Sequence, residues 1–292
     1  LVQETLHTVH VDPNTLNNLY NKNAVKISDV NSNYPILSSE ILYPNAQLIL
    51  KHESQSALAV IDPACNFIEL CFSNNAPFGI SPRNTEQTVL MHQLQNDDIK
   101  LQIIAGKAGC GKSLLAMASG LSKVLEDNLY KRLVITKPTY QVGEKGAFAA
   151  VPGNIQEKYE PYLMNFMMTL EELGMERAYL NIIKEKRLIE FVPLQLMRGM
   201  SFKNCMVVAD EVQSLSRHEM QTLCSRIGAN SKLVLLGDPR QIDRSISFNE
   251  TGLARLIKSD RIKYSDLCAM THLTKNERSR LSTLLDDVLL ED

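Results

Sequence analysis

Gly106, Lys107, Ala108, Gly109, Cys110, Gly111, Lys112 and Ser113 stand together in a chain of 292 residues, and their types and order suit the holding of linked phosphates. Glycines at 106, 109 and 111 let backbone N–H groups turn inward and form a cradle. The Lys112 amine can reach the outer phosphates, and the Ser113 hydroxyl can ligate Mg2+. The apolar run Ile103-Ile104-Ala105 leads into the loop, and Leu114, Leu115, Ala118, Leu121 and Leu125 recur at helical spacing after it. A strand, a glycine-rich turn and a helix with its positive end toward the anion are legible in one stretch.

Two further apolar runs end in groups suited to the same chemistry. Cys205-Met206-Val207-Val208-Ala209 runs into Asp210 and Glu211. Asp210 can hold the magnesium shell, and Glu211 can orient and deprotonate an attacking water. Acids at this place could instead cap the helix that begins near Ser216. Leu233-Val234-Leu235-Leu236 runs into Gly237-Asp238-Pro239-Arg240-Gln241, where the Gln241 amide can donate to a γ-phosphate oxygen and accept from the water. Val134-Ile135-Thr136-Lys137 ends in the same way, so Lys137 is a candidate phosphate or nucleic-acid contact. Nucleotide sites lie at the carboxyl ends of parallel strands, which is where these groups fall. Upstream, Pro82-Arg83-Asn84-x-Glu86-Gln87 opens a helix, and Arg83 and Gln87 can read an adenine edge by stacking and bidentate hydrogen bonding. ATP and Mg2+ are the ligand and cofactor these residues imply.

The elements that must position them follow from periodicity. Strand–helix alternation becomes regular from Gly79 onward, the signature of an α/β fold in which a parallel sheet is flanked by helices. Strands are expected near 101–105, 132–136, 188–192, 205–209, 232–236 and 268–273. Helices are expected near 84–95, 112–126, 154–171, 175–186, 216–227 and 274–290, with capping boxes at Asn154/Glu157, Ser216/Glu219 and Thr274/Glu277. Before that, Asn, Ser and Pro punctuate short β-like runs at Gln47–Lys51, Ala57–Ile61 and Phe67–Phe72, preceded by a short helical or irregular arm around Pro13–Asn21. Residues 1–80 therefore read as a small antiparallel β-rich module, and 81–292 as the nucleotide-binding domain.

Apolar residues make up 44% of the chain, yet no apolar run approaches the ~20 residues of a membrane span, so a soluble protein is expected. A net charge of −2 argues against a strongly basic nucleic-acid coat protein but leaves room for a local basic channel. The six cysteines are scattered without a C-x-x-C pair, as expected of reduced thiols in the cytoplasm. Cys110, at a helix N-terminus, is expected to have a lowered thiol pKa. The chain opens Leu1-Val2-Gln3-Glu4 without an initiator Met, as a fragment or processed product would.

Taken together, the segments resemble the PhoH family of ATPases, whose core is similar to the first RecA-like lobe of superfamily 1 helicases. The resemblance rests on Gly79-Ile80-x-Pro82-Arg83-Asn84-x-Glu86-Gln87, Asp98-Ile99-Lys100-Leu101, the cradle, Pro152-Gly153-Asn154-Ile155-Gln156-Glu157-Lys158 and Pro193-Leu194-x-x-Met197-Arg198-Gly199. It continues through Asp210-Glu211-x-Gln213, Gly237-Asp238-Pro239-x-Gln241-Ile242-Asp243 and Leu273-Thr274-Lys275-x-Glu277-Arg278-Ser279, together spanning about residues 79–285. Cys110 stands where the family commonly has Thr, Met200 stands where a second arginine is usual, and Lys145–Pro152 carries a slightly expanded Ala-rich loop. The stretch before residue 79 looks like the connector that joins an N-terminal PIN ribonuclease domain to the ATPase in longer members. No four-acid PIN pattern is present in these residues.

Phosphoryl transfer to water usually gains ~10³–10⁵ in rate from a placed arginine, which superfamily 1 helicases supply from a second lobe. Only 51 residues follow Gln241, fewer than the ~100–150 of a typical domain. A neighbouring subunit is therefore expected to complete the site. The resemblance implies a homo-oligomeric ring of about six, with Arg278 as first candidate finger and Arg198, Arg226 and Arg240 as rivals. It also implies RNA unwinding or remodelling, with single-stranded RNA tracked by Lys137, Tyr140, Lys145 and Phe148. A nucleotide-gated assembly or RNA-binding module without translocation is the alternative. A P-loop kinase is a third reading, which Glu211 and Gln241 disfavour because both suit water activation.

Overall fold

The computed structural model describes residues 4–33, 38, 40–72, 76–138, 168–171, 173–176, 185–242 and 246–277. Its first sheet joins β1 (Leu6–His10), β2 (Ala24–Lys26), β3 (Gln47–His52), β4 (Gln55–Ile61) and β5 (Phe67–Leu70) in the order β1-β3-β4-β5-β2. Strands β3, β4 and β5 pair antiparallel, but β1 runs parallel to β3, so the sheet is mixed where an antiparallel one was expected. Only Val9 of β1 is buried, which leaves no alternation for the sequence to reveal, and β2 has only three residues. The arm is a regular helix, α1 (Pro13–Lys22), because Asp12 accepts the Thr15 N–H at 3.0 Å and Pro13 sits in its first turn. Its Leu16 and Leu19 pack on Leu48, Leu50, Ile61 and Ile68. Helix α2 (Ile27–Asn33) follows β2.

The second sheet is wholly parallel. Strands β6 (Leu101–Gly106), β7 (Arg132–Thr136), β8 (Ile189–Phe191), β9 (Cys205–Ala209), β10 (Lys232–Gly237) and β11 (Cys268–Leu273) lie in the order β11-β6-β10-β9-β7-β8. Every residue of β9 and β10 is buried, as strands covered on both faces must be. One face is covered by α3 (Thr85–Gln95) and α4 (Lys112–Leu121), through Leu90, Leu94, Leu115, Ala118 and Leu121. The other is covered by α5 (Arg217–Cys224) and α6 (Gly252–Ile257), through Met220, Leu223, Leu253 and Ala254. A short α7 (Asp260–Lys263) precedes β11. Helix α4 continues into a π turn over Ser122–Glu126, and the Ser216/Glu219 capping box is formed at the start of α5.

One expected helix start is not formed. Residues 274–277 are irregular, because Thr274 donates its N–H and hydroxyl to Glu86 while Glu277 accepts from the Asn84 side chain. The start of α3 thus captures the groups that a local capping box would have used. The Asn154/Glu157 box and nearly all of the helices expected over 154–171 and 175–186 lie outside the described residues.

A buried polar cluster joins the two sheets. Gln47, on β3, donates to Gln93 Oε1 at 3.0 Å, to the Met270 carbonyl at 2.8 Å and to Thr271 Oγ1 at 2.7 Å. Gln93, on α3, donates to the Asn45 carbonyl at 2.9 Å, and Asn45 donates to the Cys268 carbonyl at 2.9 Å. The first sheet is thereby fastened to β11, the edge strand beside the phosphate loop.

Candidate active site

The loop between β6 and α4 takes the shape that its glycines permit. Gly111 has φ +88°, a conformation costly for a residue with a Cβ, and a Cβ on Gly106 would lie 2.6 Å from the Leu273 carbonyl. Strand β11 therefore presses directly on the start of the loop. The Lys112 ammonium donates to the Gly106 and Lys107 carbonyls at 2.7 and 2.8 Å, and phosphates entering the loop would exchange these bonds for their own oxygens. The Ala108 N–H donates to Asp238 Oδ2 at 3.2 Å, so a buried carboxylate already serves as anion to one cradle amide.

Ser113 Oγ lies 3.0 Å from Asp210 Oδ2, although 97 residues separate them in sequence. Asp210 is half-buried, and desolvation, reinforced by the neighbouring Glu211, pushes its carboxyl pKa up against the pull of Lys137 and Ser113. A carboxyl in that position gains from a cation at its side, and with the Ser113 hydroxyl it supplies the hard oxygen donors that Mg2+ prefers. Among the described residues no group of three or more His, Cys, Asp or Glu side chains forms a metal cage.

Glu211 follows in the left-handed region at φ 56°. It is not the cap of α5, since Ser216 fills that role with Glu219 as its capping-box partner. Its carboxylate lies 3.8 Å from Lys137 Nζ and accepts from Gln213 Nε2 at 2.7 Å. Gln241 sits just beyond β10, its N–H bonded to the Asp238 carbonyl and its own carbonyl to Gln213 Nε2, with an exposed side chain. The groups from β6, β9 and β10 thus meet at the carboxyl ends of three adjacent strands.

On the other side of the loop, a cleft of about 710 Å³ is lined by Ile80, Pro82, Arg83, Gln87, Leu114 and Glu277, among others. Its apolar floor and exposed arginine suit a stacked heterocycle. Gln87 is buried, and its amide is already committed, donating to the Cys110 carbonyl at 3.0 Å and accepting the Arg83 N–H at 2.8 Å. In this structure it holds the loop in place, and an adenine could reach that amide only by exchange. Sequence reasoning missed two loop fasteners. The Glu277 N–H donates to the Gly109 carbonyl at 3.2 Å, and Asp238 binds Ala108; both residues lie in motifs already noted, but nothing local shows what they touch.

Cys110 contradicts the expectation of an acidic thiol. It is buried at the centre of the loop, and that burial raises its pKa despite Lys112 nearby. Of the arginines, Arg240 stands beside the loop and pairs with Asp238 at 3.6 Å. Arg198 is exposed against α5, and Arg226 lies among the residues that precede β9, at the amino end of the strands and away from the cradle. Arg278, Tyr140, Lys145 and Phe148 lie outside the described residues. Lys107 is exposed at the mouth of the loop.

A parallel sheet that brings a glycine loop, a serine and an aspartate together at the carboxyl ends of its strands serves to hold a nucleotide, and by fold and site this is a P-loop protein of the NTPase type. The chain belongs to the PhoH family: the family model described as PhoH-like protein matches residues 79–288. It is 32% identical to Protein PhoH2 of Bacillus subtilis over 96% of this chain and 63% of that protein. It is 33% identical to Protein PhoH2 of Mycolicibacterium smegmatis over 78% of this chain and 51% of that protein. The chain therefore spans between half and two thirds of these curated relatives. Among solved structures, the Pif1 helicase from Candida albicans aligns with 71% of this chain and 43% of its own at 15% identity and a TM-score of 0.36, a distant likeness on which nothing here depends.

Proposed function

We propose that this chain binds ATP with Mg2+ and hydrolyses it, and that a neighbouring copy completes the site in a ring that remodels single-stranded RNA. The observation that carries the hydrolytic reading is the meeting of Ser113 and Asp210 at 3.0 Å with Glu211 immediately alongside. Mg2+ between Ser113 and Asp210 would neutralise charge on the phosphate oxygens. Lys112 gives up its loop carbonyls to bind the outer phosphates. Glu211 accepts a proton from the attacking water as the new P–O bond forms and the bond to the ADP oxygen breaks. Gln241 positions that water, and Lys137, near Glu211, links the site to the loop expected to contact RNA.

The test is ATP turnover with and without single-stranded RNA, for wild type, Lys112→Ala, Glu211→Gln and Arg278→Ala, with a mass measurement alongside. Lys112→Ala should lose nucleotide binding. Glu211→Gln should keep binding and lose turnover by ~10²–10⁴-fold, the usual contribution of a placed base. Turnover in the Glu211→Gln variant equal to wild type would remove the base assignment, and transfer of phosphate to an acceptor in place of release would favour a kinase. A passive assembly module would show neither RNA stimulation nor strand displacement. A fully active monomer contradicts the ring.

A further inference from the structure

Gln213 is buried in the short turn Val212–Ser214, and each polar atom of its amide is engaged. Its Nε2 donates to Glu211 Oε2 at 2.7 Å and to the Gln241 carbonyl at 2.8 Å. Its Oε1 accepts the Asp238 N–H at 3.2 Å. That last bond sets the orientation of the amide: a backbone N–H can be met only by the oxygen, so the NH2 must face the carboxylate and the carbonyl. Gly237 leaves room for this arrangement, since a Cβ there would come within 3.2 Å of Gln213 Oε1. One side chain therefore ties the acid at the end of β9 to the turn at the end of β10.

We infer that Gln213 is a positioning residue that holds Glu211 in register with the Gln241 turn, an inference that rests on the hydrolytic reading above. Glu211 needs such support. It is attached through a left-handed backbone, and its side chain remains 42% exposed, so without an anchor it would sample several rotamers. Gln213 fixes Oε2 of the carboxylate, while Oε1 faces Lys137 Nζ at 3.8 Å. Because the same NH2 holds the Gln241 carbonyl, a shift of the Gln241 turn toward a bound phosphate would be passed to Glu211 through one rigid group.

Two substitutions test this. Gln213→Glu keeps the acceptor for the Asp238 N–H but replaces the donor with a charge that repels Glu211. Gln213→Met keeps the approximate volume and removes all three bonds. Each should lower kcat by ~10–100-fold, the range seen when outer-shell supports of a reactive group are removed. The Kd for ATP should stay within about threefold, since none of the three Gln213 hydrogen bonds goes to a residue of the cradle. If Gln213→Glu does not fold, Gln213→Met carries the test. A folded variant with kcat within about twofold of wild type overturns the inference. So does a variant whose ATP affinity falls as much as its kcat, because that is the pattern of a merely structural residue. Glu211→Gln run in parallel separates the levels: if it keeps full turnover the hydrolytic reading fails, and if it is inactive while Gln213→Met is unimpaired only the positioning role fails.

Discussion

Lys232 begins β10 with its ammonium fully buried, donating to the Gln93, Leu94 and Asn96 carbonyls at 3.1, 2.8 and 2.8 Å. These carbonyls close α3, and of the three only that of Gln93 also accepts a backbone N–H, from Asn96, so Lys232 caps that helix from a distant strand. Lys232→Met should cost about 2–3 kcal/mol by leaving the Leu94 and Asn96 carbonyls without donors, measurable as a lower urea midpoint. Burial pulls the Lys232 pKa from the ordinary 10.5 down to about 7. Between those two values the unfolded chain holds a proton that the folded chain lacks. This group therefore makes stability rise with pH from about 7 toward 10.5, by at most about 1.4 kcal/mol per pH unit. Urea melts at pH 7 and pH 9 should show wild type gaining on Lys232→Met; equal slopes for the two proteins would contradict it. Cys110 makes the opposite point about local reading. Buried and with a raised pKa, it should resist iodoacetamide at pH 8 in the folded protein and react in urea, as followed by mass spectrometry.

At the scale of elements, the two sheets are fastened by amides and a threonine more than by apolar packing. Gln93 Oε1 accepts from Gln47, Gln102 and Thr271, and its NH2 serves the Asn45 carbonyl. Removing this hub leaves several buried polar atoms short of a partner. Gln93→Leu should therefore destabilise by about 2–4 kcal/mol, more than an ordinary surface change. The loss should also be felt at the nucleotide site, because β11 carries both Thr271 and the Leu273 carbonyl that presses on Gly106. Melts with and without ATP would show it as a smaller nucleotide-induced stabilisation than in wild type. The six strands of the second sheet are legible in the sequence because each is a short, mainly apolar run, although β8 includes Glu190 and β11 Thr271 and His272. The mixed first sheet was less so, since the edge strand β1 buries only Val9 and its parallel pairing with β3 depends on a partner some forty residues away.

At the scale of the molecule, the proposed ring predicts that Glu211→Gln subunits with ATP sediment as oligomers. Mixing them into wild type should then depress turnover more steeply than in proportion to their fraction, whereas strictly proportional loss would show independent sites. Of the arginines weighed for the site, Arg226 lies at the amino ends of the strands and cannot serve its own cradle, while Arg240 is drawn to Asp238. By itself the sequence determined the phosphate loop, the strand order along the chain and the groups at the strand ends, because glycine freedom, apolar periodicity and side-chain chemistry are local properties. Only the tertiary structure decided that Asp238 occupies a cradle amide, that Gln87 is committed to the loop, that Cys110 is buried, and that Gln213 ties Glu211 to the Gln241 turn. Each of those depends on which strands lie side by side in the order β11-β6-β10-β9-β7-β8, and burial and hydrogen-bond partners are set by that neighbourhood rather than by spacing along the chain.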